Sequence, residues 1–180
     1  KLKIHGAEKI DSKCTYVFVS NHLSALDIIT NASAMPKPMR FLAKAEIKYI
    51  PFFGYMVKML AIMVDRKSKE SREKSFAYMI DAIKKGESLF IYPEGTRNRT
   101  KEKLKEFKDG AFRAAIEAQA PIAVQTLVGT KELNDPSGFQ LYPGTVHVYW
   151  SEPIETTGMT MEEVPALKEK VRTAMLKNLP

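Results

Sequence analysis

Ser20-Asn21-His22-Leu23-Ser24-Ala25-Leu26-Asp27 is the stretch on which the reading of this chain turns. It follows the apolar, β-branched run Thr15-Tyr-Val-Phe-Val19, which predicts a buried strand. Ile28-Ile29 come next, so the polar cluster lies where a strand gives way to a helix. In α/β folds that place, outside the carboxyl end of a parallel strand, is where chemistry is kept. His22 exchanges a proton near neutral pH, and a carboxylate can fix its tautomer and stabilise the imidazolium. Asp27 lies five positions after His22, about 140° away from a shared face on a regular helix. Contact therefore requires His22 to precede the helix and Asp27 to reach back from its first turn. Ser24 is then expected as the N-cap, and Asp27 sits at the positive end of the helix. The bland alternative is a histidine in a turn and an aspartate on a first turn, with no shared task.

Upstream, Leu2 and Ile4 alternate with polar residues as an edge strand would. Downstream, a helix is expected over about 24–34, stopped by Pro36 and Pro38. Arg40 to Ala43 reads as a strand with Lys44 and Glu46 at its end, and 47–60 as an apolar helix interrupted near Pro51 and Gly54. Ala61 to Val64 predicts a strand ending in Asp65-Arg66. Phe76, Met79, Ile80 and Ile83 fall at i, i+3, i+4 and i+7, a helix with one buried face, closed by Gly86. Leu89 to Tyr92 is the strand before Pro-Glu-Gly-Thr-Arg97; a helix over 107–118, strands over 121–128 and 145–150, and an amphipathic helix bearing Val164, Leu167, Val171 and Met175 complete the chain. Strands alternating with helices predict one α/β domain over 1–180, with a mostly parallel (mixed) sheet covered by helices on both faces. The strand ends near residues 20, 44, 65 and 93 then share one edge, where their polar motifs can converge.

The 180 residues are 44% hydrophobic and 27% charged, ordinary globular values. No stretch approaches the roughly 20 apolar residues that span a bilayer. The lone Cys14 excludes an internal disulfide and is expected to be a small core thiol. A net charge of +7 favours anionic partners. No helix-turn-helix, RNP or zinc-ligand pattern is present, which disfavours nucleic acid and a metal site. Asn98-Arg-Thr100 matches a glycosylation acceptor by chance.

Two further features carry chemistry on their own. Gly95 and Thr96 follow a strand and offer a turn with backbone N–H groups suited to a phosphate, and Arg97 adds a fork that matches phosphate oxygens; the plain alternative is a surface turn with a salt bridge. Arg97, Arg99, Lys101, Lys103, Lys105 and Lys108 lie within twelve residues, either a solvated face or an attractor for donor phosphates and anionic headgroups.

His22-x4-Asp27, Phe41-Leu-Ala-Lys-Ala-Glu46 with Pro51 and Gly54, Asp65-Arg66, Tyr92-Pro-Glu-Gly-Thr-Arg97 and Ala120-Pro-Ile-Ala-Val124 occur in that order. Together they resemble the glycerolipid acyltransferases, most closely the 1-acylglycerol-3-phosphate acyltransferases, over about residues 15–150. The resemblance implies an α/β fold and direct acyl transfer from a thioester, with His22 as general base on the glycerol hydroxyl and Asp27 as its orienter. It implies substrate-binding roles for Lys44, Arg66, Glu94, Gly95, Thr96 and Arg97. Arg66 either touches substrate or braces Asp65 and Glu94, and Phe107-Lys-Asp-Gly110 frames the site. Ile50-Pro-Phe-Phe-Gly-Tyr-Met-Val57 is either core or an acyl-tunnel wall that dips into lipid. No resident cofactor is implied; acyl-CoA or acyl carrier protein is the co-substrate and lysophosphatidic acid the acceptor. The expected setting is the cytoplasmic face of a membrane, peripheral or through an anchoring helix ahead of Lys1.

Leu23 stands where the family often has Gln, and Ala120-Pro-Ile-Ala-Val124 varies a usual Val-Pro-Ile-Val-Pro block, so the acceptor stays open between 1-acylglycerol 3-phosphate, glycerol 3-phosphate and another lysolipid. A hydrolase using His22 and Asp27 to activate water is a different class, whose serine version is disfavoured by the lack of a Gly-x-Ser-x-Gly elbow. A non-catalytic basic membrane-binding module is the competing reading from a different class.

Overall fold

The computed structural model describes residues 1–44, 61–64, 68–134 and 140–180. Seven strands form one sheet: β1 (Leu2–His5), β2 (Val17–Ser20), β3 (Arg40–Lys44), β4 (Ala61–Val64), β5 (Leu89–Ile91), β6 (Ile122–Val128) and β7 (Val146–Trp150). Their order is β1-β7-β6-β2-β5-β3-β4. From β6 to β4 every neighbouring pair is parallel; β7 runs antiparallel to β6, and β1 parallel to β7 on the outer edge. The sheet is thus mixed and mostly parallel, as expected. Four α-helices accompany it among the described residues: α1 (Leu26–Ala34), α2 (Lys69–Lys84), α3 (Gly110–Glu117) and α4 (Val164–Leu176). None of these is long and apolar enough to cross a membrane.

Connection handedness explains the layering. The path β2–α1–β3 moves along the sheet towards the β4 edge, whereas β4–α2–β5 and β5–α3–β6 move back. Right-handed crossovers running in opposite directions put their helices on opposite faces. The side chains agree. Val17, Val19, Leu89, Ile91, Ile122 and Val124 pack with residues of α2, α3 and α4, such as Met79, Phe112 and Leu167. The alternate residues Phe18, Phe90 and Ala123 pack with Ala34 of α1 and with Tyr16, Leu127 and Trp150. Central strands buried on both faces read as continuous apolar runs, which is why period two was invisible in Thr15–Val19. Phe18, Phe90 and Phe112 are essentially fully buried, and truncating any one to Ala would cost about 3–5 kcal/mol.

Helix ends follow local chemistry. Ser68 Oγ accepts from the Ser71 amide at 3.0 Å and caps α2. Gly86, at φ +88°, follows the last turn in a left-handed conformation that a Cβ would strain. Pro165 occupies the first turn of α4, where its missing N–H costs nothing. The expected N-cap at Ser24 is corrected. Helix α1 begins at Leu26 with Ala25 in the cap position and no side-chain cap. Ser24 Oγ instead accepts from the Leu26 amide at 3.2 Å, a tight turn that precedes the helix. The expected helix over 47–60, with Pro51, Gly54 and the Ile50–Val57 stretch, and also Glu46, Asp65 and Arg66, lie outside the described residues.

Candidate active site

All strands from β6 to β4 deliver their carboxyl ends to one edge, and β2 and β5 are adjacent there. The segment leaving β2 is tied first. Asn21, fully buried, donates from Nδ2 to the Leu127 carbonyl at 2.9 Å and accepts at Oδ1 from the Leu127 amide at 2.7 Å. Its carboxamide imitates a backbone and prolongs the β2–β6 ladder past Ser20. That fixes where His22 emerges.

Asp27 reaches back from the first turn of α1, as the spacing required. Its Oδ2 accepts from His22 Nδ1 at 2.8 Å, from the Leu23 amide at 2.6 Å and from the Ser24 amide at 2.8 Å. The residue is fully buried. A buried carboxylate costs several kcal/mol in lost hydration; three donors and the positive end of α1 offset it. The carboxylate thus shapes the turn as well as orienting the imidazole. With the Nδ1 proton held against Asp27, Nε2 is the free lone pair, and it has no partner among the described residues. No serine or cysteine side chain bonds to it there, so a Ser–His or Cys–His nucleophile is not assembled.

The turn after β5 closes on His22 from the other side. The His22 amide donates to Glu94 Oε1 at 2.9 Å, and the His22 carbonyl accepts from the Asn98 amide at 2.6 Å. Glu94 Oε2 accepts from the Lys105 amide at 2.9 Å. Glu94 is 2% exposed, and burial raises its carboxyl pKa despite the two amide donors that favour the charged form. Both oxygens are engaged and the group is out of reach. Its geometry is that of a brace between the two turns, and the ligand role expected for it does not fit this placement.

Gly95 adopts φ +73° and its amide closes the turn on the Tyr92 carbonyl at 3.0 Å, so that amide does not point at a ligand as expected. Thr96 and Arg97 are exposed at the tip. The Arg97 guanidinium has no hydrogen bond or ion pair among the described residues. Lys105 Nζ donates to Thr96 Oγ1 at 3.0 Å, which brings a second cation to the same tip. Leu104 and Phe107, both buried, pin the basic loop to the core and turn its charged residues outward. The Lys108 amide donates to the Pro93 carbonyl at 2.8 Å, so the 107–110 element does frame the turn. Lys44 ends β3 at the same sheet edge; its side chain and Arg66 lie outside what is described.

Sequence reasoning missed several residues. Asn98 is buried, with Nδ2 on the Glu102 carbonyl and Oδ1 accepting from the Thr100 amide and hydroxyl; it organises the basic loop. Tyr92, a strand end and the first residue of the Tyr-Pro-Glu-Gly-Thr-Arg97 motif with no role expected of it, stacks on the His22 ring, and Asn31 of α1 bonds to its hydroxyl. Only the position of Tyr92 beside the Pro-Glu-Gly turn could have flagged it.

A histidine–carboxylate pair at a parallel sheet edge, beside a cationic turn and without a protein nucleophile among the described residues, suits transfer between two bound substrates. Comparison with known proteins agrees. A model of the acyltransferase family matches residues 1–127. The chain belongs to that family. It is 30% identical over 181 residues to a Saccharomyces cerevisiae 1-acyl-sn-glycerol-3-phosphate acyltransferase, covering 99% of this chain and 59% of that protein. It is 35% identical over 158 residues to a chloroplastic 1-acyl-sn-glycerol-3-phosphate acyltransferase of Arabidopsis thaliana, covering 86% and 44%. The chain therefore spans between two fifths and three fifths of these relatives. The crystal structure of the 1-acyl-sn-glycerophosphate acyltransferase PlsC from Thermotoga maritima superposes with a TM-score of 0.83 at 24% identity, covering 98% of this chain and 69% of that one, which establishes the fold.

Proposed function

We propose that this acyltransferase moves a fatty acyl group from an acyl thioester to the free hydroxyl of 1-acylglycerol 3-phosphate, giving phosphatidic acid. The observation that carries the reading is the 2.8 Å His22 Nδ1–Asp27 Oδ2 bond, which leaves Nε2 open at the sheet edge. Nε2 takes the proton of the acceptor hydroxyl as its oxygen attacks the thioester carbonyl carbon. The tetrahedral adduct collapses, the C–S bond breaks, and the departing thiolate takes the proton back from the imidazolium. One ester forms, one thioester is lost, and no residue is covalently modified. The thioester is already activated, so a general base, worth roughly 10²- to 10⁴-fold, is the main group the protein must supply. Asp27 stabilises the imidazolium, as the aspartate does in the serine triad with the substrate hydroxyl in place of serine.

Acceptor phosphate is read by Arg97 and Lys105 at the tip of the turn, with Thr96 between them and Lys44 and Arg66 as further cations to be tested. Acyl-CoA or acyl carrier protein brings the acyl group, with no resident cofactor. The basic loop from Arg97 to Lys108 favours an anionic membrane surface, on the cytoplasmic face where such donors are made. The names borne by the relatives support the same acceptor.

The test is mass spectrometry of products formed from lysophosphatidic acid, lysophosphatidylcholine and glycerol 3-phosphate, mixed, with acyl-CoA and with acyl carrier protein. Phosphatidic acid should dominate and should vanish with His22→Ala. Preferred acylation of glycerol 3-phosphate or lysophosphatidylcholine would move the assignment to that acceptor. Absence of any acyl product, with liposome binding intact, would replace the enzyme by a membrane-binding module.

A further inference from the structure

The imidazole of His22 is held in two independent ways, and the Asp27 bond is only one of them. That bond fixes which nitrogen faces inward, but a single hydrogen bond still allows the ring to swing about it. The second constraint is Tyr92, one residue beyond β5. Its ring lies on the His22 ring with centroids 3.9 Å apart and planes 15° from parallel. Tyr92 is itself located on two sides. Phe90 meets it edge-on at 5.0 Å, and Asn31 Nδ2, from the buried face of α1, donates to its hydroxyl at 2.8 Å. Burial, and next the nearby Asp27 charge, hold the phenol well above its ordinary pKa, so it stays neutral beneath the base.

We infer that Tyr92, tethered by Asn31, is a positioning residue that sets the plane of the His22 imidazole and thereby the direction of its Nε2 lone pair. Two consequences follow from the geometry. A proton acceptor misdirected by a fraction of an ångström loses rate even when its partner carboxylate is intact. The π face of Tyr92 also lies against the ring that becomes cationic once it has taken the proton, an electrostatically favourable contact. Asn31 carries the arrangement across the sheet face: the helix that supplies Asp27 also supplies the tether for Tyr92, so α1 sets both constraints at once.

The inference rests on His22 being the base of the proposed transfer, and its test separates the two. Steady-state acyl transfer to lysophosphatidic acid is measured for wild type, Tyr92→Leu and Tyr92→Phe, alongside proton NMR of the histidine rings, with the His22 signals assigned by their loss in His22→Ala. Tyr92→Leu keeps an apolar filler but removes the stacked ring. It should lower kcat about tenfold or more, with KM for both substrates within about twofold. Tyr92→Phe keeps the stacked ring but loses the Asn31 bond, so its kcat should lie between those of wild type and Tyr92→Leu. The NMR readout needs no substrate: a ring 3.9 Å away shields the His22 ring protons, so their signals should move downfield in Tyr92→Leu and stay near their wild-type positions in Tyr92→Phe. Unchanged kcat in a folded Tyr92→Leu protein, or a Tyr92→Phe protein as slow as Tyr92→Leu, would overturn the inference. An inactive wild type would overturn the functional reading, and the His22 ring signals would still decide whether the stack holds the imidazole.

Discussion

The His22 turn and the Arg97 turn leave adjacent parallel strands, yet their polar groups end in opposite conditions. In the first, His22 Nδ1 and the Leu23 and Ser24 amides converge on Asp27, while the His22 amide and carbonyl are taken by Glu94 and Asn98. In the second, the Arg97 side chain stands exposed, and the Lys105 ammonium bonds, among the described residues, to a threonine hydroxyl. A base must be preorganised to within a fraction of an ångström, and the His22 amide, carbonyl and Nδ1 are each held by a hydrogen bond. A site for a charged ligand must keep its cations unsatisfied until the ligand arrives. Under the proposed function, the first turn serves rate and the second affinity.

Four substitutions test that division. His22→Ala should lower kcat about 10²- to 10⁴-fold, with KM little changed; the protein should still fold but with lowered thermal stability, because the buried Asp27 carboxylate loses one of its three donors. Near-normal turnover in the folded variant would remove the base. Asp27→Asn should cost about 10²-fold in kcat, since the amide no longer stabilises the imidazolium; a rise in lysolipid KM instead would move Asp27 into the acceptor site.

Arg97→Lys should act through the other term. It keeps one charge and loses the planar fork. A charge-assisted hydrogen bond is worth about 1.5–3 kcal/mol, so KM for lysophosphatidic acid should rise roughly ten- to a hundredfold while kcat holds. An acceptor whose phosphate is esterified to a headgroup should suffer less. Equal KM values for wild type and variant would take Arg97 out of the phosphate site.

Glu94→Gln tests the bridge between the turns and should have the smallest effect. The new NH₂ must face one of two amide donors, an unmet bond costing about 1–3 kcal/mol, and kcat should fall severalfold as the His22 backbone loosens. Its pH signature is distinctive. Because burial raises the Glu94 pKa in the fold, the folded state holds that proton more tightly than the unfolded chain. The stability this contributes is full below the unfolded carboxyl value and is lost as pH rises through the folded one. Urea unfolding across that range should show the decline in wild type and lack it in Glu94→Gln; identical slopes would mean that Glu94 is not the group responsible.

Much of this was legible in the linear chain. The five-position step from His22 to Asp27, with a strand before and a helix after, already required a histidine outside the helix and an aspartate reaching back. The strand ends near 20, 44, 65 and 93 could be placed at one edge because alternating strands and helices imply a mostly parallel sheet; the structure ends those strands at Ser20, Lys44, Val64 and Ile91. Glu94 shows where such reading stopped. From the sequence it is a charged residue in a turn beside Arg97, and nothing local distinguishes a ligand from a brace. The difference is its burial against the amides of His22 and Lys105, seventy-two and eleven residues away. Ser24 failed for a related reason: several residues could begin α1, and the bonds of Asp27 to Leu23 and Ser24 delay the helical turn to Leu26.

The sequence by itself determined the order of strands and helices, the apolar strands buried on both sides, and the residue types able to exchange a proton or hold a phosphate, since these depend on periodicity, spacing and side-chain chemistry. The tertiary structure alone decided which of the charged residues were spent on each other and which were left for a ligand. It also decided that Tyr92 and Asn31, sixty-one positions apart, would meet over the base. Such pairings depend on which strands become neighbours and which face each helix covers, and no local interaction in the chain encodes them.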